Sequence, residues 1–397
     1  MNQLVKENPG IQTNSYIQYI DVLRVLSMLS VVFLHTAAGG LRVNLGSNLW
    51  HFSNIFTSIM STSVPIFFML SGAMLLSNNK TSSISYTYKK RLPKALVPFI
   101  IWSLVAIAYY GIVGIYSDGN LTDALKRLKN IVNTPATVHL WFMYALIPLY
   151  LLSPVLKKLV DSMSMKLAKY CLLMWFIFSS LLPTLYSLVP STIRPFFVVS
   201  KEYNLNFLNG YIGYFLLGYY LHNYKNKISI KWLSVIILVD TAIISLGSWY
   251  KTMASGEYSE IFKVYSRAFV LILSVALFLL VKELISKYPL KRISANVIKF
   301  FSALSFGVYL MHNLLIDALA RVTTLIPVYS ISRFIISYGI VLIISFVCIV
   351  VVTSIKPVCY AFTGLTYKAA CKSSNIQHII SKLIKMPSNK NKPDLEL

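Results

Sequence analysis

The sequence predicts an all-α, polytopic integral membrane protein of about ten transmembrane helices with both termini in the cytoplasm. Three observations carry this. Of 397 residues, 56% are hydrophobic and only 13% charged, more apolar material than the core of a water-soluble protein of this size uses. Apolar runs near the twenty residues that an α-helix needs to cross a bilayer recur along most of the length. The basic residues, finally, alternate in density from one connecting loop to the next.

The expected spans are residues 17–38, 55–76, 95–116, 138–156, 168–189, 206–222, 231–249, 264–281, 300–319 and 334–354. The first is QYIDVLRVLSMLSVVFLHTA, and it carries Arg24 and His35 inside an otherwise apolar helix. It does not read as a secretory signal, because its flank Met1 to Tyr16 has no net positive charge and Arg24 interrupts the apolar region. The second span places Pro65 and the pair Ser71-Gly72 in VPIFFMLSGAMLL, which marks either a kink with close helix packing or backbone opened to a ligand. After the third, Leu121, Leu125, Leu128 and Val132 recur at helical spacing beside Lys126, Arg127 and Lys129, as an interfacial helix would. The sixth is short and Gly-rich. A membrane domain of residues 1–355 is followed by a basic tail, 356–397, in which NIQHIISKLIKM suggests a second interfacial helix.

The net charge of +24 is explained by topology. With the loops assigned alternately, 25 cations fall on the side that holds both termini and 11 on the other, and Arg24, within a span, completes the 37. The richer side is the cytoplasmic one. The surplus marks anionic lipids as partners and not nucleic acid. Cys171, Cys348, Cys359 and Cys371 all fall in spans or on the cytoplasmic side, so no structural disulfide is expected.

Ionisable groups inside the hydrocarbon are expensive, and they face a bundle interior where they serve a path or a reaction. Eleven helical steps return to nearly the same direction, so Arg24 and His35 share a face, about 16 Å apart along the axis. Asp21 lies on the same stripe. In the predicted topology Arg24 lies near the cytoplasmic face and His35 in the outer half, at a depth shared by His139 and His312. Tyr309 and His312, three residues apart, share a helix face. An imidazole here suits a general base. No HxxxH, HExxH or paired-cysteine pattern supports zinc, and no metal is expected. Lys89, Lys90, Arg91 and Lys94 crowd the cytoplasmic boundary after span two. Retention of that loop in the cytosol accounts for them, and so does a clamp for a multiply phosphorylated cofactor.

Six strings in this order, IDVLRVLSMLSVVFLH, VPIFFMLSGAML, YKKRLPKALVP, VHLWFMYALIPLYLLSPVL, YFLLGYYL and SFGVYLMHNLLI, resemble the acyltransferase-3 family of transmembrane acyl transferases. The fourth is most similar to the branch containing the enterobacterial-common-antigen O-acetyltransferase and the intercellular-adhesin O-succinyltransferase type. The resemblance implies transfer of an acyl group, usually acetyl, from cytoplasmic acyl-CoA to a hydroxyl on the outer side of the bacterial cytoplasmic membrane. Acetyl-CoA is the implied donor, with succinyl-CoA as its rival. A surface glycan or lipid-linked sugar is the implied acceptor, and glycan-synthesis machinery an implied partner. The family's first-span Arg and His fall on Arg24 and His35. Its Arg-x-x-Arg pair falls on Arg91 and Lys94, where lysine keeps the charge and loses the bidentate fork.

Combined, these readings make His35 and Arg24 the catalytic residues, Lys89, Arg91, Lys94 and Ser71 the donor-binding residues, and Tyr309, His312, His139 and Trp141 the acceptor-side residues. A transporter for a glycan or a small polar substrate fits the same intramembrane charges, including Asp240, but would favour broken midplane helices and inverted repeats. No convincing repeat relates the two halves.

Overall fold

The computed structural model describes residues 13–113, 121–198, 210–322 and 330–373, and the regular elements among them are all helical. In chain order these are α1 (Thr13–Arg42), α2 (Asn48–Met60), α3 (Ser63–Leu76), the single turn α4 (Ile84–Tyr86), α5 (Leu92–Ile112), α6 (Leu121–Lys129), α7 (Trp141–Ser162) and α8 (Met165–Phe176). There follow α9 (Leu182–Leu188), α10 (Ile212–Asn223), α11 (Ile230–Ser255), α12 (Ala268–Lys287), α13 (Arg292–Val322), α14 (Ile331–Ser354), α15 (Lys356–Thr363) and α16 (Tyr367–Ser373). Among the described residues nine stretches are long and apolar enough to cross a membrane.

The tenth expected span, 206–222, is represented by α10, whose 12 residues are too few to span a bilayer on their own. Residues 206–209 lie outside the described residues. α10 still runs alongside α12: the Tyr214 hydroxyl donates to the Tyr265 carbonyl just before α12 begins, and Lys282 near its end donates to the carbonyls of Leu221, His222 and Tyr224. That lysine satisfies the C-terminal carbonyls that a helix end leaves without partners.

Proline positions explain the irregular turns. Span two was expected over 55–76, with Pro65 marking either a kink or opened backbone, and the chain breaks between α2 and α3, at Ser61 and Thr62. Pro65 has no N–H to give to the carbonyl four residues earlier, that of Ser61, and its ring crowds it. A π-turn over Thr87–Arg91 joins α4 to α5 just ahead of Pro93, and a second over Ile177–Leu181 precedes Pro183.

The Ser71-Gly72 pair divides its roles: Gly72 serves close packing, while Ser71 lines a cavity. A Cβ on Gly72 would stand 1.7 Å from the Phe215 carbonyl oxygen, and one on Gly218 would stand 1.9 Å from that of Met69. The two glycines therefore let α3 and α10 touch backbone to backbone. Gly72→Ala and Gly218→Ala are each expected to lose about 1–3 kcal/mol or more of stability, read as a lower melting temperature of purified protein. Gly39→Ala, whose Cβ would meet nothing within 4 Å, is the control that keeps its melting temperature.

α6 supplies the short helix expected near Leu121 and ends at Lys129, before Val132. At the other end of the chain, α15 and α16 fold back against α5, α13 and α14. Trp102 donates its indole N–H to the Phe362 carbonyl at 2.9 Å, and Gly364, at φ 67°, seats its Cα against the Lys94 carbonyl. The helix expected over 376–384 lies outside the described residues.

Candidate active site

α1 and α13 run side by side in the same direction, and two contacts set their register. At the lower level Arg24 Nη1 donates to Ser302 Oγ at 3.0 Å, and that hydroxyl donates to Asp21 Oδ1 at 2.6 Å. Arg24 Nη1 lies 3.6 Å from the same carboxylate oxygen, and Nη2 lies 2.7 Å from Met74 Sδ. Eleven residues on from Arg24 and ten on from Ser302, the rings of His35 and His312 have centroids 5.2 Å apart. The two levels are thus about 15–16 Å apart.

A cavity of about 310 Å³ rises from the lower level, a volume at the lower end of small-molecule sites. Arg24, Arg91 and Lys94 line one end together with Ser302, Tyr150, Thr363, Gly364 and Leu365; Ser71 and Ser305 line the wall above them; Phe67, Phe142, Phe306 and Tyr309 line the remainder toward the other end. Arg91 lays its guanidinium on the Tyr86 ring at 5.4 Å, and its buried Nε has no hydrogen-bond partner. An unpaired buried donor beside two further cations is a receptive site for an anion.

Three histidines meet just beyond the aromatic end. His139 lies 4.8 Å from His312 and 6.1 Å from His35, centroid to centroid. Carbonyls only accept, which assigns the protons. His312 Nδ1 donates to the Tyr309 carbonyl at 2.6 Å, so the neutral ring turns a bare lone pair at Nε2 into the buried space, where no partner meets it. His139 Nε2 donates to the Leu310 carbonyl at 3.2 Å and its Nδ1 accepts from Thr137 Oγ1 at 2.9 Å. Tyr309 ties the cluster to the cavity by donating its hydroxyl to the His139 carbonyl at 2.6 Å. With both nitrogens of His139 engaged, the cluster lacks the three free lone pairs a metal would need, and no metal-ligating group of three is found among the described residues.

Of the expected donor-side residues, the cavity unites Arg24, Ser71, Arg91 and Lys94. Lys89 is not among them: it is exposed on the outside of the π-turn, two positions before Arg91 and so pointing away on a helical surface. On the other side Tyr309, His312, His139 and His35 converge. Trp141 instead stacks on Tyr265 at 5.7 Å and tilts against Tyr211 at 5.4 Å, outside the cavity lining. Sequence reasoning passed over Ser302 and Ser305, although 302, 305, 309 and 312 follow one helix face and mark it. It also missed Tyr150 and Thr363 to Leu365, which reach the cavity only through the fold.

A second buried polar group lies beside the histidine end of the bundle. Lys263, in the loop between α11 and α12, donates to Asn54 Oδ1 at 2.6 Å, to the Asn54 carbonyl at 3.1 Å and to Thr57 Oγ1 at 2.8 Å. Burial pushes its ammonium down from 10.5 to about 7. The unfolded chain therefore binds this proton more tightly, so stability rises with pH between about 7 and 10.5 and is level below that window. Melting of wild type is expected to rise from pH 7 to pH 9 relative to Lys263→Met, by a shift on the order of 1–3 kcal/mol. Parallel curves for the two proteins would refute the expected window.

A helical bundle of membrane-spanning length, with a cation-lined cavity rising toward three imidazoles, is the layout of an integral membrane protein that carries a functional site inside its bundle. The chain belongs to the acyltransferase-3 family, whose model, described as an acyltransferase domain, matches residues 17–353. It is similar to a probable poly-β-1,6-N-acetyl-D-glucosamine export protein of Staphylococcus aureus strain Mu50 / ATCC 700699, 24% identical over 277 residues that make up 68% of this chain and 73% of the relative. The proteins of the same description from strains MW2 and MRSA252 match over the same shares at the same identity. No solved structure matches the chain. Thr363 to Leu365 lie beyond the matched segment yet form part of the cavity wall.

Proposed function

We propose that this acyltransferase moves an acyl group from cytosolic acyl-CoA to a hydroxyl of a cell-surface or lipid-linked polysaccharide, in the cytoplasmic membrane of a bacterium, with its Arg91 end facing the cytosol. The observation that carries this is the single line from the Arg24, Arg91 and Lys94 cations, through a hydroxyl-lined cavity, to Tyr309 and the histidines above it. Arg91 and Lys94 receive the phosphates at the mouth, and the nucleotide stays outside a cavity of this size. Ser71 and Tyr150 offer hydroxyls to the amides of the pantetheine arm, and Ser302 and Ser305, whose protons go to Asp21 and the Ser302 carbonyl, offer it oxygen lone pairs. The 15–16 Å between the Arg24 and His35 levels suits the extended arm.

His35 acts as the base. It takes the proton of the acceptor hydroxyl as that oxygen attacks the thioester carbonyl; the C–S bond breaks, an O-ester forms, and the proton passes to the departing thiolate to give free CoA. His312 and His139 pack against the His35 ring and restrict it, each held by a carbonyl of α13.

The relatives' description as export proteins gives a second reading, transport of a glycan. The cavity favours transfer, because its cations, Arg24, Arg91 and Lys94, are gathered at the end away from its aromatic residues and do not line a path through the bundle. The deciding experiment compares surface glycans by mass spectrometry with and without the gene, alongside CoA release by purified protein. Loss of an acyl ester in the deletion strain, and CoA release that depends on acceptor, are expected. Glycan accumulation in vesicles with no CoA release would replace the proposal by a carrier.

A further inference from the structure

The far end of the cavity is a collar of rings. Phe142 and Tyr309 have centroids 5.6 Å apart, Phe67 lies 6.0 Å from Phe142 and 6.4 Å from Tyr309, and Phe306 is stacked on Tyr309 at 6.5 Å. Three helices reach this collar from the polar level in similar steps. Seven residues separate Met74 from Phe67 and Ser302 from Tyr309, and eight separate Tyr150 from Phe142, so these three rings lie about 10–12 Å above the level of Arg24, with Phe306 about one turn lower. Of the described residues that line the cavity, the cationic ones are Arg24, Arg91 and Lys94, all at the opposite end. Beyond the collar His139 has both nitrogens engaged, His312 gives its Nδ1 proton to the Tyr309 carbonyl, and the third ring, His35, is the one left to accept a proton as the base.

From this arrangement we infer that Phe67, Phe142, Phe306 and Tyr309 form an acyl filter that admits a short neutral acyl group and rejects one ending in a carboxylate. The inference rests on the donor reading above and sharpens it. A donor held by its phosphates places its thioester at the collar, where a methyl meets ring faces. A carboxylate at that position would lose its water, lie about 10 Å or more from the level of Arg24, and meet beyond the collar only imidazoles, of which His35 must stay unprotonated to serve as the base. Added methylenes are excluded by the packed rings, because an apolar pocket discriminates one methylene by about 10- to 200-fold. The transfer itself is unchanged: hydroxyl and thioester give ester and free thiol.

The test is competition against labelled acetyl-CoA on the full-length protein in lipid nanodiscs, with CoA, butyryl-CoA and succinyl-CoA as competitors. Succinyl-CoA is expected to bind at least about tenfold more weakly than acetyl-CoA. Phe67→Ala or Phe142→Ala is expected to improve butyryl-CoA relative to acetyl-CoA by about tenfold, with the milder Phe67→Leu and Phe142→Leu shifting the same ratio less. Each variant is compared through this ratio and kept only where it still binds CoA itself. Equal binding of succinyl-CoA and acetyl-CoA by wild type overturns the filter, as does an unchanged butyryl-to-acetyl ratio in CoA-binding variants. Absence of competition by every one of these compounds, CoA included, instead overturns the donor reading beneath it.

Discussion

His35→Ala protein is expected to insert and fold as wild type does and to lose about 10²- to 10⁴-fold of its acyl transfer rate, the range for removal of a positioned base. The ring lies in α1 with its centroid 5.2 Å from that of His312 and 6.1 Å from that of His139, so alanine removes the base without breaking the bonds that hold the other two imidazoles. Donor binding gives the control. The cavity that takes the donor does not include His35, so competition against labelled acetyl-CoA is expected to be unaltered while ester formation on the glycan falls. His139→Ala differs, because it leaves the Leu310 carbonyl and Thr137 hydroxyl unpaired and loses stability along with rate. A His35→Ala protein that acylates as fast as wild type would remove this residue from the chemistry.

Arg24→Gln is expected to show two losses that a second substitution separates. Asp21 and Arg24 are 14% and 26% exposed and share Ser302 between them. Withdrawing the guanidinium strands a carboxylate within the bundle, and about 1–3 kcal/mol of stability is expected to go with it. Adding Asp21→Asn removes the stranded charge, so the double variant is expected to regain most of the melting temperature while still binding donor more weakly than wild type. Recovery of both properties would make Arg24 a purely structural partner of Asp21. Recovery of neither would place the effect outside this network.

Much of this architecture is written in patterns that a bilayer enforces. Apolar runs had to become helices because no other open structure satisfies its backbone in lipid, and the positions of nine of them follow from length and composition. The placement of Arg24 and His35 on one face followed from the helical repeat, and the repeat would also have exposed the face of Ser302, Ser305, Tyr309 and His312. The turn at Pro65 was legible in kind and misplaced by a few residues, since proline disturbs the carbonyl four positions back and not its own.

By itself the sequence determined the class of protein, the membrane helices, and the two levels at which Arg24 and His35 sit, because each depends on composition or on the periodicity of a single helix. Only the tertiary structure decided which cations share a space. Arg91 and Lys94 line the cavity while Lys89 faces away, and Gly72 serves an α3–α10 contact whose partner, Phe215, lies far along the chain. The return of Thr363, Gly364 and Leu365 to the cavity wall, the closure of the aromatic collar and the meeting of three histidines from α1, α13 and the turn before α7 were likewise decided there. Each joins residues tens to hundreds of positions apart, and such packing leaves no period in the sequence from which it could be read.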